Sequence, residues 1–276
     1  MKEKILITMG CSLTEGLGCY DLERIDPTEI VESNKRGYPL LNNTEYSYQR
    51  NLFHKNGWPI ILAKKLGFDR LINLGLASSS QSGSVKQFVE KYLDTNFSEQ
   101  EVFIIWMISM PERFSFYNGH KIQTYLPTTE KGIRVDLEKS WIKEIKDVPY
   151  DSNYETIFYI RIMEQICQNK NYSLLITSWV HNLMTKLNKI YQSKNYIQPI
   201  NFQPWDVTNM KKFTSDHYSG MGCGHPNKDG YKLIAENLYE IILKNHSEFV
   251  QGPHNENINM IYDGDVLDWK KRQTII

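Results

Sequence analysis

The chain has 276 residues, 41% of them hydrophobic, which is enough for a sizeable core and too many for a disordered chain. Its 32 basic residues balance 32 acidic ones, so no charged footprint points to nucleic acid or an anionic membrane. No stretch approaches the roughly 18 apolar residues of a spanning helix.

Lys4 to Met9 (KILITM) reads as a first strand, broken by Gly10. It is short for a secretory h-region and leads into no small-residue cleavage site, so a cytoplasmic location is expected. Cys11, Cys19, Cys167 and Cys223 then read as free thiols of a reducing compartment. Trp58 to Leu66 reads as a helix with Pro59 in its first turn, Leu71 to Leu74 as a short strand, and Ser84 to Tyr92 as a helix. Val102 to Ile108 (VFIIWMI) is a continuous apolar run of the kind buried on both faces of a parallel sheet. Tyr154 to Cys167 is helical, Ser173 to Trp179 (SLLITSW) a further buried strand, and Asn227 to Leu243 a long amphipathic helix. Strands alternating with helices predict a single α/β domain around a parallel sheet. Residues 17–57 and 114–150 break the alternation; they are polar, tyrosine-rich and expected as loops that wall or cover a ligand site. The segment from His246 to Ile276 is expected as a C-terminal extension.

The first strand runs into Gly10-Cys11-Ser12-Leu13-Thr14-Glu15-Gly16. Ser12 therefore falls at the carboxyl end of the strand, where open α/β sheets bind ligands. A serine there can be a nucleophile while its own N–H receives developing negative charge. The other use of such a serine is to cap the next helix. A phosphate loop fits less well, because no Gly-Lys-Ser/Thr follows. A serine hydroxyl needs a positioned base near neutral pH. His225 is the best of seven histidines: Pro226 fixes its backbone and Asn227 can cap the helix that follows.

These two segments resemble the first and last blocks of the SGNH/GDSL hydrolases: Gly10 to Gly16, with Cys11 in place of the usual Asp, and His225-Pro226-Asn227 followed by Gly230-Tyr231. The resemblance implies a flavodoxin-like, three-layer α/β/α fold with a central parallel sheet of about five strands. It implies an esterase that works without metal or cofactor through an acyl-enzyme on Ser12, with His225 as base. Acetyl or short acyl esters, carbohydrate esters among them, are the implied substrates, with no nucleic-acid or membrane partner.

Three further positions depart from the pattern. The usual acid, three residues before the histidine, is replaced by Gly222. Asp216 is the nearest upstream carboxylate, and a loop holding Gly220, Gly222 and Gly224 can fold back to present it, unless a backbone carbonyl orients His225 instead. Asp229 reads as a dipole-favouring residue of the last helix. In the second block (Asn73 to Ser80), Ser78 stands where a glycine is usual and can still offer its backbone N–H. In the third block the oxyanion-binding Asn is missing, leaving the Ser109 hydroxyl and the Arg113 guanidinium as donors. A Cys11/Cys223/His225 zinc cluster is the metal alternative, although no Cys-x-x-Cys pair is present. A catalytically impaired relative that binds a glycan or an acylated ligand is the functional alternative, and an acyltransferase using the same pair is a third.

Overall fold

A computed structural model describes residues 2–36, 39–76, 79–111, 114–117, 122–125, 152–180, 182–197, 215–221 and 224–262. Its central sheet is five-stranded and parallel, in the order β6-β3-β1-β2-β7. The strands are β1 (Glu3–Gly10), β2 (Arg70–Gly75), β3 (Gln100–Ile108), β6 (Ser173–Ser178) and β7 (Asn259–Tyr262). A separate antiparallel pair joins β4 (Phe114–Tyr117) to β5 (Ile122–Tyr125).

Side chains of β1 alternate between two cores, as period-2 geometry requires. Ile5, Ile7 and Met9 enter one core with α5 (Gln81–Tyr92), α6 (Ser152–Lys170) and α7 (Leu183–Ile190). Leu6 enters the other with α3 (Asn43–Asn56), α4 (Trp58–Leu66) and α8 (Lys228–Asn245). Helices thus cover both faces, and the architecture is three-layer α/β/α.

Two regions depart from the sequence expectation. Residues 17–57 are not a loop; they hold α2 (Pro27–Arg36) and α3. The caps explain their existence: Asp26 Oδ1 accepts from the N–H of Thr28 at 2.8 Å, and Asn42 Oδ1 from that of Glu45 at 2.9 Å. The fifth strand comes from the expected C-terminal extension, where β7 pairs parallel with β2. No helix among the described residues is long and apolar enough to cross a membrane. Most of the 114–150 insertion lies outside the described residues.

Candidate active site

Ser12 opens α1 (Ser12–Glu15), a four-residue helix laid across the carboxyl edge of β1 and β2. One turn of helix is unstable by itself, because nucleation fixes several residues for one hydrogen bond. Here its trailing carbonyls are taken by neighbouring elements. Asn73 Nδ2 donates to Thr14 O at 2.9 Å, His54 Nδ1 lies 3.2 Å from Glu15 O, and Tyr231 Oη donates to Leu17 O at 2.7 Å. Asn73 is itself fixed, its Oδ1 accepting from Thr8 Oγ1 at 3.1 Å and from the N–H of Gly75 at 2.8 Å. Gly75 allows this proximity: a Cβ there would stand 2.3 Å from the Glu15 nitrogen.

His225 arrives from the other end of the chain. Tyr218 and Pro226 form an antiparallel bridge, with the Ser219 N–H donating to His225 O at 2.9 Å and the Asn227 N–H to His217 O at 2.8 Å. Asn227 also caps α8, its Oδ1 accepting from the Gly230 N–H at 3.0 Å. The chain leaving α1 runs against this segment at Gly18, whose φ is +117° and where a Cβ would fall 2.2 Å from Pro226 O. That close approach sets Ser12 Oγ 2.7 Å from His225 Nε2. With Nδ1 protonated, Nε2 accepts the serine proton, which is the arrangement a general base needs. Ser12 is 9% exposed and His225 is half-buried, so the serine sits at the floor of the edge with the histidine beside it.

The other expected site residues are placed differently. Gly220 and Gly224 both have positive φ, 72° and 65° respectively, while Gly222 lies outside the described residues. It is Tyr218, two residues after Asp216, that is bridged to Pro226 beside His225. Asp216 is exposed, its carbonyl accepts from Asn227 Nδ2 at 2.6 Å, and among the described residues no hydrogen bond joins its carboxylate to His225. Asp216→Asn is accordingly expected to change turnover by less than about threefold; a fall of orders of magnitude in steady-state kinetics would assign it the orienting role. Ser109 is buried and its hydroxyl donates to Ser79 O at 3.1 Å, tying the end of β3 to the loop after β2. Gln81, unremarked in the sequence, reinforces that tie through Nε2 to Ser109 O at 2.9 Å and Met110 O at 3.2 Å. Ser78, Arg113 and Cys223 lie outside the described residues, so the oxyanion roles expected of the first two and the zinc alternative fall there as well. Cys11, Cys19 and Cys167 are buried free thiols, and burial pushes Cys167 up to about 12.

No protein-family model matches the chain, and no curated protein matches its sequence. Among solved structures it is similar to that of a candidate lipolytic protein of the G-D-S-L family from Desulfitobacterium hafniense DCB-2. The two are 16% identical with a TM-score of 0.44, over 86% of this chain and 98% of that one.

Behind α1 lies a buried polar cluster that sequence patterns did not signal. Glu15 is 1% exposed, and its carboxylate meets Arg50 Nε at 2.9 Å. Arg50 Nη2 donates to Tyr262 Oη at 2.7 Å, and that hydroxyl faces Gly75 O at 2.9 Å and Glu15 Oε1 at 3.3 Å. Burial, then the Glu15 charge, pushes the phenols of Tyr262 and Tyr46 upward, so both stay protonated. The His54 ring stacks on Tyr262 with centroids 3.3 Å apart. Burial, then the Arg50 cation, drops His54 from 6.5 to about 3, so it is neutral and donates through Nδ1 to Glu15 O. Unfolding lets His54 bind a proton between those two values, so its contribution is complete above pH 6.5 and is lost as pH falls toward 3. The slope is about 1.4 kcal/mol per pH unit, or roughly 2 kcal/mol between pH 6.5 and 5. Urea denaturation at pH 7 and pH 5 should show that loss in the wild type, and a loss smaller by about this amount in His54→Gln.

Proposed function

We propose that this chain is a serine hydrolase of the esterase type, with Ser12 as nucleophile and His225 as its base. The 2.7 Å contact between Ser12 Oγ and His225 Nε2, at the carboxyl edge of a parallel sheet, carries this proposal. As Ser12 Oγ attacks an ester carbonyl, its proton passes to Nε2. The carbonyl oxygen takes the negative charge, and the Ser12 N–H at the start of α1 is the donor proposed for it. Collapse breaks the ester bond, the imidazolium returns the proton to the leaving alcohol, and the acyl group stays on Ser12. Water activated by His225 then releases the acid. Small acyl esters, acetylated carbohydrate among them, are the proposed substrates.

The engagement of the Ser109 hydroxyl with Ser79 O favours a second proposal, a weakly active relative whose main role is to hold an acylated ligand. One experiment separates the two. A fluorophosphonate probe should label the native protein once per chain, with the adduct mapped by mass spectrometry to Ser12. Native protein that resists labelling while binding an acylated sugar would reverse the choice.

A further inference from the structure

We infer that Tyr262, with Arg50 and Glu15, is a positioning unit that holds Ser12 against His225, so the C-terminal strand belongs to the active site; this rests on the hydrolase proposal above. The strand register supplies the first argument. Thr8 pairs with Asn73 and Asn73 with Tyr262, so three polar residues from β1, β2 and β7 stand in one row across the sheet. Members of one row project to the same face, and here that is the face on which α1 lies. Thr8 holds Asn73, Asn73 holds Thr14 O, and Tyr262 holds Gly75 O beside the Glu15 backbone. The row therefore ends on the turn that carries the nucleophile.

The second argument is the cost of the cluster. A carboxylate 1% exposed requires a cation and further donors to be tolerated, and breaking even is common for such pairs. Packing alone would be served as well by an apolar side chain at position 15. What the charged arrangement adds is direction. Arg50 reaches both Glu15 and Tyr262, and the Tyr262 hydroxyl, 2.9 Å from Gly75 O and 3.3 Å from Glu15 Oε1, stands between the strand and the helix that must stay in register. Ser12 lies three residues before Glu15, within the same single turn of helix, so a small rotation of that turn moves Oγ relative to His225.

The test compares Tyr262→Phe and Glu15→Gln with Ser12→Ala, reading the titration of the His225 ring by proton NMR. Ser12→Ala measures how far the His225 midpoint moves when the serine contact is gone. Both cluster variants should move it in the same direction and at least about half as far, because each releases α1. Esterase assays should show kcat lower by on the order of 10–100-fold, with KM within about twofold. Tyr262→Phe keeps the ring stacked on His54, and Glu15→Gln keeps the shape of residue 15, so one covers for the other if either fails to fold. A wild-type His225 midpoint in the folded variants would overturn the inference. Absence of fluorophosphonate labelling in the wild type would instead sink the hydrolase proposal, and the titration comparison would still decide this one.

Discussion

Ser12→Ala is expected to lower kcat/KM for p-nitrophenyl acetate by at least ~10⁴-fold, and His225→Ala by a similar factor. The proposed mechanism needs both halves of the contact: without Oγ it has no acyl acceptor, and without Nε2 the hydroxyl stays protonated and weak. If the two act as one unit, as proposed, the double variant should be hardly worse than either single one. Additive losses would mean that the 2.7 Å contact is incidental and the residues act separately. Full activity in Ser12→Ala would place the nucleophile elsewhere. The protein should stay folded throughout, since each change removes polar atoms at the edge of the sheet and leaves the two apolar cores intact.

Parallel strands buried on both faces leave long apolar runs, which is why β1, β3 and β6 are legible from composition to within about two residues at either end. Trp58 to Leu66 is legible for another reason: Pro59 in its first turn and Gly67 just beyond its end punctuate the helix. The helices of 17–57 carry no comparable apolar stripe. α2 buries only Ser33, while α3 buries Gln49, Phe53 and His54, so periodicity of apolar residues misses them. Their caps, Asp26 before Pro27 and Asn42 three residues before Glu45, were the signals to weigh. β7 is four residues long and half exposed on an edge of the sheet, and an isolated run of that length does not differ from coil in sequence.

The candidate site divides along the same line. That Ser12 and His225 meet was legible because each position follows from local chemistry: a serine at a strand end, and a histidine just before a proline and a capped helix. Asp216 shows the limit of that logic. Only the pairing register decides which residue faces His225, and that register is set by the Tyr218–Pro226 bridge and the Asn227 side chain. Glu15, Arg50 and Tyr262 come from three separate regions of the chain, and no local pattern announces that a carboxylate within a catalytic-looking motif is fully enclosed.

Arg50→Met is expected to be the most destabilising single change in that cluster. Removing one partner of a buried ion pair leaves an uncompensated charge, at a cost of about 3–5 kcal/mol. Arg50 is 11% exposed on its side chain and Glu15 is 1% exposed, so solvent screens the pair little. For a chain of this size each kcal/mol lowers the unfolding midpoint by roughly 2–4 °C, so calorimetry should record a fall of about 10 °C or more. Glu15→Gln combined with Arg50→Met removes both charges and leaves no orphan, so the double variant should recover most of the loss. That recovery tells an ion pair from simple packing. If Arg50 mattered only through its aliphatic stem, Met would replace it at little cost and the second change would add to the damage.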